Sequence, residues 1–183
     1  MKTTQSGLPL LTTEQVKKGL DNSLEKKVGI VLLAIPGSGK TTIFRNWIEK
    51  IKSNGNILET PIFITAQQIV SGYEMYGEKY FTKAETSDDI CYGITGRRPL
   101  YIDDLGSENS LSYGRGLILN RVIYETIENG GLLYLSSNFS LDQIAEIYGE
   151  RSVSRLKGSC AIAVLDNPDF RELKQKELVG IFS

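Results

Sequence analysis

A short apolar run that leads straight into a glycine loop and an amphipathic helix is the feature that most constrains this chain. The run VGIVLLA (28–34) is almost wholly apolar, which is typical of a strand buried on both faces. The loop IPGSGKTT (35–42) follows it, and the next residues place apolar side chains on one helix face, at Ile43, Phe44, Trp47, Ile48 and Ile51. A strand, a glycine loop and a helix in this order predict the first unit of an α/β domain.

The same alternation of strand and helix continues along the chain. Further strands are predicted at PIFITA (61–66), LYIDD (100–104), LLYLSSN (132–138) and CAIAVLD (160–166). Helices are predicted after Thr12 and Thr13 and within 43–53, 67–81, 86–94, 117–131 and 140–149. This pattern predicts a parallel five-stranded sheet flanked by helices. Residues 1–27 are expected to form a short helical segment, 28–166 the core, and 167–183 a tail too short for a separate lid domain.

Length and composition bound the possible functions. A chain of 183 residues suits one domain with a substantial core, and its net charge of −1 offers no overall field to attract nucleic acid. The absence of histidine excludes Ser-His and Cys-His catalysis and histidine metal sites. Cys91 and Cys160 lack zinc-site spacing and are predicted to be core residues in a reducing compartment. No apolar run has the length of a membrane span, so we expect a cytoplasmic protein without a membrane partner.

The glycine loop has the pattern of a phosphate-binding P-loop. Its glycines let backbone N–H groups turn toward a phosphate, and the helix that follows adds partial positive charge at its N-terminus. Lys40 can reach the β- and γ-phosphates of ATP, and the Thr41 hydroxyl can ligate Mg²⁺. The predicted nucleotide-binding residues are Pro36, Gly37, Ser38, Gly39, Lys40, Thr41 and Thr42. The alternative, a flexible loop capped by threonine, does not explain why the flanking strand and helix also fit the motif.

Two acids end the predicted strand LYIDD and suggest a second half of a nucleotide site. Asp103 is predicted to hold Mg²⁺, and Asp104 to polarise an attacking water. Because adjacent residues of a strand point to opposite faces, we expect these two carboxylates to face apart. Glu108 is a weaker candidate for assisting Asp104, and a solvated turn is the alternative for the acid pair.

Three polar residues further along could complete such a site. Asn138 follows the strand LLYLSS and could hold the attacking water or the γ-phosphate, or it could simply form the turn before a Ser140 cap. Arg151 and Arg155 are spaced i, i+4 on one predicted helix face. An arginine there could stabilise transition-state charge in a neighbouring subunit. The alternative interpretation is a solvated basic helix face, which is more common in proteins.

A contact with single-stranded DNA is a further hypothesis. Aromatic residues recur at roughly helical spacing with two lysines between them, at Tyr73, Tyr76, Lys79, Tyr80, Phe81 and Lys83. Such a stripe could stack bases and neutralise phosphates, but the same spacing is also typical of core packing. Arg97 and Arg98 could contact phosphate or form a solvated turn.

Taken together, several segments resemble a known family. GSGKTT, FITAQQIV, LYIDDLGSE and the ordered series SSN, YGER and SRL resemble the ATPase domain of the DnaC-type helicase loaders and the IstB-type transposition helper ATPases, within the AAA+ class of P-loop NTPases. The resemblance covers residues 28–166 and implies a P-loop NTPase fold of AAA+ type whose lid domain is absent or vestigial.

The resemblance also implies roles for matching residues. Gly39, Lys40 and Thr41 match the Walker A motif, Asp103 the metal-binding acid and Asp104 the catalytic acid.

Four further positions match residues outside the Walker motifs. Asn138 matches the sensor-one residue, Arg155 the arginine finger with Arg151 as its possible substitute, and Arg171 in NPDFR a closing element near the nucleotide.

The implied function is a MgATP-binding and hydrolysing accessory factor for DNA replication. It would self-assemble with ATP and Mg²⁺ bound and would contact single-stranded DNA or a replicative helicase. A transposition helper of the IstB type is an alternative. Two alternatives from other classes are a small P-loop kinase, for which no acceptor-closing lid is evident, and a nucleotide-bound adaptor that does not hydrolyse ATP.

Overall fold

The structure, a computed structural model, describes residues 2–55, 60–77, 98–108 and 113–179. Its strands are β1 (Leu10–Leu11), β2 (Gly29–Leu33), β3 (Ile62–Thr65), β4 (Leu100–Leu105), β5 (Leu133–Ser137) and β6 (Cys160–Leu165). Its helices are α1 (Thr13–Lys26), α2 (Lys40–Ser53), α3 (Ala66–Tyr76), α4 (Tyr113–Glu128), α5 (Leu141–Tyr148), α6 (Glu150–Ser159) and α7 (Phe170–Val179). The helix predicted at 86–94, with Cys91, lies outside the described residues.

The strands form one parallel sheet in the order β1-β6-β2-β5-β4-β3. The sequence predicted five strands, and the sheet has six. The additional strand is β1, whose residues Leu10 and Leu11 pair with Val164 and Leu165 at the edge of the sheet. Two residues are too few to show a period in the sequence, and their pairing depends on a partner far along the chain.

The core lies on both faces of the sheet. Val31 and Leu33 of β2 point to the face covered by α3, α4, α5 and α6. Ile30 and Leu32 point to the opposite face, where α1 and α2 pack. All of β2 is buried, which confirms the prediction of a strand covered on both sides.

Side-chain caps fix where several helices begin. Thr12 caps α1, and Ser140 caps α5 at the position where the sequence analysis placed a cap. Each cap forms a capping box with a glutamine three residues later. A third capping box, Thr65 with Gln68, starts α3 and was not predicted. The helix predicted over 67–81 ends earlier, at Tyr76, where Gly77 has φ 62°.

The order of the strands determines where the polar loops meet. The carboxyl ends of β2, β4, β5 and β6 lie on the same edge of the sheet because all four strands are parallel. Since β5 lies between β2 and β4, the residue after β5 stands between the glycine loop and the two acids. In the described part of the chain, no helix combines the length and the hydropathy that crossing a bilayer requires.

We expect the close approach of β2 to its two neighbours to make Gly29→Ala destabilising. A Cβ at Gly29 would lie 2.2 Å from the Leu133 carbonyl oxygen and 2.9 Å from Cys160 Sγ. Overpacking of this kind costs about 1–3 kcal/mol. Urea denaturation followed by the fluorescence of Trp47, the only tryptophan, would measure the loss.

Gly158→Ala is the matched control, because no atom lies within 4 Å of the Cβ it would add in α6. Alanine is the better helix former, so this variant should be as stable as the wild type or more stable by up to about 1 kcal/mol. Equal stability of Gly29→Ala and the wild type would contradict the packing described for β2.

Candidate functional site

A cleft of about 390 Å³ opens at the carboxyl edge of the sheet. Its lining combines the glycine loop, the ends of β4 and β5 and the start of α7, namely Pro36, Gly37, Gly39, Lys40, Thr41, Thr42, Asp103, Asp104, Ser136, Asn138, Phe170 and Arg171. The structure therefore brings the predicted nucleotide residues, both acids, Asn138 and Arg171 into one cleft. Ser38, which was also predicted, is a fully buried residue of the loop and does not line the cleft.

The glycine loop takes a conformation that depends on its glycines. Gly37 and Gly39 have φ values of 75° and 91°, which side chains with a Cβ rarely adopt. Gly39 is the N-cap of α2 and makes no side-chain cap, so the first turn of α2 keeps its amide donors for an anion. This geometry confirms that the motif lies between strand and helix, as a P-loop requires.

The Lys40 ammonium is buried and bound to the loop that carries it. Its Nζ donates to the carbonyl oxygens of Ala34 at 2.8 Å and Ile35 at 3.0 Å, and to Asn138 Oδ1 at 2.7 Å. Burial lowers the pKa of Lys40; the carboxylates of Asp104 and Asp103 oppose this effect, and Arg171 adds to it. The ammonium thus stands in a poorly solvated position where an added anion would be strongly attracted.

Asp103 is held by hydroxyl groups from three directions. Its Oδ1 accepts from Thr41 Oγ1 at 3.0 Å, from the Tyr101 hydroxyl at 2.5 Å and from Ser136 Oγ at 2.7 Å. Asp103 as a whole residue is only 5% exposed. Burial is also the main cause that raises the pKa of the neighbouring Tyr101 hydroxyl. Asp103 is therefore a buried anion whose orientation is fixed by neutral donors.

Asp104 departs from the expected strand geometry. The sequence predicted that Asp103 and Asp104 face apart, but both line the cleft. Asp104 has φ 56°, and the β4–β5 register shifts between Ile102 and Leu105. This irregularity ends the alternation of side chains, as a β-bulge does, and turns Asp104 toward the cleft. A non-glycine residue in this conformation stores strain, which is typical of functional sites.

Asn138 connects the cation and the second acid. Its Oδ1 accepts from Lys40 Nζ and its Nδ2 donates to Asp104 Oδ1, both at 2.7 Å. The amide therefore spans the cleft between the glycine loop and β4. The alternative of a simple turn does not account for these two bonds.

A segment after β6 lies over the glycine loop. Asn167 Nδ2 donates to the Ser38 carbonyl at 3.0 Å, and the backbone N–H of Phe170 donates to the Gly37 carbonyl at 3.1 Å. A Cβ on Gly37 would meet Asp169 Oδ1 at 1.8 Å. This segment places the side chain of Arg171 in the cleft, at the position the resemblance implied.

Glu108 lies apart from the cleft, contrary to the suggestion that it assists Asp104. Its carboxylate is fully buried and accepts from the Gly106 N–H at 2.8 Å and from the Tyr148 hydroxyl. The Tyr148 carbonyl in turn accepts from Ser152 Oγ at 3.0 Å. Glu108 therefore connects the loop after the acids to the junction of α5 and α6.

Arg151 and Arg155 are on α6, as the sequence predicted, and neither is among the described residues that line the cleft. Arg151 is exposed, whereas Arg155 is half-buried with its guanidinium 4.5 Å from the centre of the Tyr124 ring. Within one chain, the two arginines and the cleft are separate features of the surface.

The structure separates the residues of the DNA hypothesis. Tyr73 packs against the core, and Tyr76 is 60% exposed at the end of α3. Arg98 donates to the Thr60 carbonyl at 3.2 Å, which indicates a structural role. Lys79, Tyr80, Phe81, Lys83 and Arg97 lie outside the described residues.

The residues around Asp103 suit a hard divalent cation. Thr41 Oγ1 and Asp103 supply neutral and charged oxygen donors 3.0 Å apart, the ligand type that Mg²⁺ prefers. The described residues contain no group of three or more His, Cys, Asp or Glu side chains with metal-binding geometry. A cation there would take its remaining ligands from water or phosphate, as Mg²⁺ usually does.

Sequence reasoning missed three residues of this site. Tyr101 precedes Asp103 by two residues, so the strand period already placed both side chains on one face. Ser136 and Phe170 gave no usable signal, because their roles depend on which strand and which loop lie beside them.

Comparison with known proteins identifies the fold. No protein-family model and no curated protein sequence matches the chain. Among solved structures, AMPPCP-bound DnaA from Aquifex aeolicus matches with a TM-score of 0.62 and 15% identity over 92% of this chain and 51% of that chain. DnaI matches with a TM-score of 0.61 and 15% identity, over 85% of this chain and 82% of that chain.

A third match is the replication initiator DnaA bound to AMPPCP and single-stranded DNA, with a TM-score of 0.60 and 15% identity, over 90% of this chain and 51% of that chain. The present chain thus spans about half the length of the DnaA chains. A structural match at 15% sequence identity establishes the architecture of the chain, but it does not establish its activity. The chain has the same fold as the DnaA and DnaI structures, a parallel α/β sheet flanked by helices with a P-loop between β2 and α2.

Proposed function

We propose that this protein binds MgATP in the cleft, hydrolyses it, and uses the nucleotide cycle in a DNA-replication process. The observation that carries the proposal is the connected set Lys40–Asn138–Asp104 beside the pair Thr41–Asp103. Phosphoryl transfer requires a cation that binds the phosphates, a carboxylate that holds the metal and a second carboxylate that orients the attacking water. Here a neutral amide connects the phosphate-binding cation to the second carboxylate.

The phosphates of ATP would lie on the glycine loop and the N-terminus of α2. Lys40 would exchange bonds to its own loop for bonds to the β- and γ-phosphates, whose charge replaces the carbonyl dipoles. Thr41 and Asp103 would hold Mg²⁺, which supplies charge stabilisation for the transferred phosphoryl group. AMPPCP in the similar DnaA structure supports a nucleotide as the occupant.

Asp104 is the candidate for orienting the attacking water. Its Oδ1 is hydrogen-bonded to Asn138 Nδ2, which would hold the carboxylate in place without adding a negative charge. Asn138 also contacts Lys40, so a γ-phosphate that draws Lys40 away would leave Asn138 Oδ1 without that donor. Binding of the γ-phosphate would therefore change the hydrogen bonding of the Asn138 amide and, through it, the position of the Asp104 carboxylate.

Positive charge at the outer side of the cleft would come from two sources. Arg171 already lines the cleft and would act within the same chain. Arg155, or its neighbour Arg151, would act on the cleft of a second copy, because neither reaches the cleft of its own chain. This arrangement requires nucleotide-dependent self-association, in which the arginine of one copy completes the site of the next.

The similar structures support the proposed replication role and one of the proposed partners. DnaA and DnaI favour replication over transposition, and the DnaA structure with single-stranded DNA supports DNA as a partner. A replicative helicase is the protein partner that the DnaC-type resemblance implies.

We expect Lys40→Ala to weaken MgAMPPCP binding about ten- to a hundredfold, because a charged hydrogen bond contributes about 1.5–3 kcal/mol. Isothermal titration calorimetry would measure the dissociation constant. Lys52→Ala, an exposed lysine near the end of the same helix, is the control and should bind as the wild type does. Unchanged affinity in Lys40→Ala would place the nucleotide elsewhere.

We expect ATP turnover per protomer to rise with protein concentration, because Arg155 comes from a second copy. Arg155→Ala should lower the maximal rate about a thousandfold or more, the effect of losing an arginine finger. Lys157→Ala, exposed on the same helix, should keep the wild-type rate. A rate per protomer that does not change with concentration or with Arg155→Ala would remove the trans-acting arginine from the proposal.

Asp104→Asn separates hydrolysis from binding. The amide keeps the size of the carboxylate but cannot accept a proton, so turnover should fall about 10²- to 10⁴-fold with affinity for MgAMPPCP retained. Phosphate release and calorimetry would measure the two quantities. Slow turnover that is the same in Asp104→Asn and wild type, with binding intact, would instead identify a nucleotide-bound adaptor.

A further inference from the structure

Two hydroxyl groups behind the acids have no part in the function described so far. The Tyr101 hydroxyl and Ser136 Oγ lie beside Asp103 on the side of the sheet that α2 covers, and both residues are fully buried. They come from adjacent strands, Tyr101 from β4 and Ser136 from the end of β5.

Ser136 contacts both acids at once. Its Oγ donates to Asp103 Oδ1 at 2.7 Å and accepts from the backbone N–H of Asp104 at 3.0 Å. The second bond fixes the backbone where Asp104 takes its left-handed conformation. One hydroxyl therefore orients the first carboxylate and stabilises the turn that directs the second into the cleft.

Tyr101 approaches the same carboxylate oxygen from the core. Its ring stacks on Phe44 of α2, with centroids 4.1 Å apart and planes 20° apart, and it also contacts the edge of Phe63. The ring is fully buried in close-packed surroundings, and its hydroxyl lies 2.5 Å from Asp103 Oδ1.

All the hydrogen bonds to Asp103 from the described side chains reach Oδ1, and none of them reaches Oδ2. Donors concentrated on one oxygen fix the rotation of the carboxylate and direct the other oxygen away from them. Partners of a metal ligand commonly act in this way, and their loss typically lowers metal affinity 10- to 100-fold.

We propose that Tyr101 and Ser136 are positioning residues that orient Asp103 for the divalent cation, and that Ser136 also sets the direction of Asp104. This inference rests on the proposed MgATP site and deepens it. It predicts that the hydroxyls strengthen the contribution of Mg²⁺ to nucleotide binding and leave the contribution of the phosphate loop unchanged.

The test is the dissociation constant of AMPPCP measured with Mg²⁺ and with EDTA, for wild type and Tyr101→Phe. In the wild type Mg²⁺ should tighten binding. In Tyr101→Phe, binding in EDTA should be unchanged, and the tightening by Mg²⁺ should shrink about tenfold or more. Equal tightening in the two proteins, or greater tightening in the variant, would overturn the inference.

Tyr134→Phe is the matched control. Tyr134 is also a fully buried tyrosine beside Phe44 and Trp47, but its hydroxyl contacts Ser23 Oγ at 2.9 Å, away from Asp103. Tyr134→Phe likewise removes a buried hydroxyl and its hydrogen bond but no donor to Asp103, so it should keep the full effect of Mg²⁺. A reduced Mg²⁺ effect in this control too would assign the loss to general loosening of the core and overturn the inference.

Ser136→Ala gives a second, independent arm if Tyr101→Phe does not fold. It should reduce the effect of Mg²⁺ and also lower the turnover rate, because it releases the backbone of Asp104. Wild-type behaviour of Ser136→Ala in both measurements would overturn the role of that residue. Failure of the wild type to bind AMPPCP at all, or to respond to Mg²⁺, would contradict the proposed function itself, which is a distinguishable result.

Discussion

The pairing of β5 with both β2 and β4 is the constraint on which the site depends. Leu33 and Leu105, at the ends of the two flanking strands, both pair with Ser137. The next residue is Asn138, so its amide must stand between the glycine loop and the acids. The hydrogen-bonded ladder of the sheet thus sets the spacing of Lys40, Asn138 and Asp104 more rigidly than any loop could.

The same region carries features that oppose stability. Lys40 and Asp103 are buried charges, and Asp104 is held in a conformation that costs a non-glycine residue energy. The hydroxyls on Asp103 and the carbonyls on Lys40 offset part of this cost. Charges that are desolvated and oriented in advance interact more strongly with an ion of opposite sign, so the proposed binding of phosphate and cation would make use of features that otherwise lower stability.

The surroundings of the cleft connect it to other parts of the molecule. Asn167 and Phe170 hold the segment after β6 on the glycine loop, so movement of that loop would also move Arg171. Glu108 and Tyr148 join the loop after the acids to the start of α6, the helix that carries Arg155. One route starts at the glycine loop and the other at the loop after the acids, and each leads to a helix that carries an arginine.

The sequence by itself determined the alternation of strands and helices, the glycine loop and the identity of the acids. These depend on local periods and on residue types at fixed spacing, such as the apolar stripe from Ile43 to Ile51. Only the tertiary structure decided that β1 adds a sixth strand, that Asp104 turns into the cleft, that Glu108 faces the core, and that Tyr101 and Ser136 meet on Asp103. Each of these features depends on contacts between residues that are distant in the chain or on a break in strand geometry. Long-range contacts and strand irregularities produce no periodic pattern in the sequence, so they could not be predicted from it.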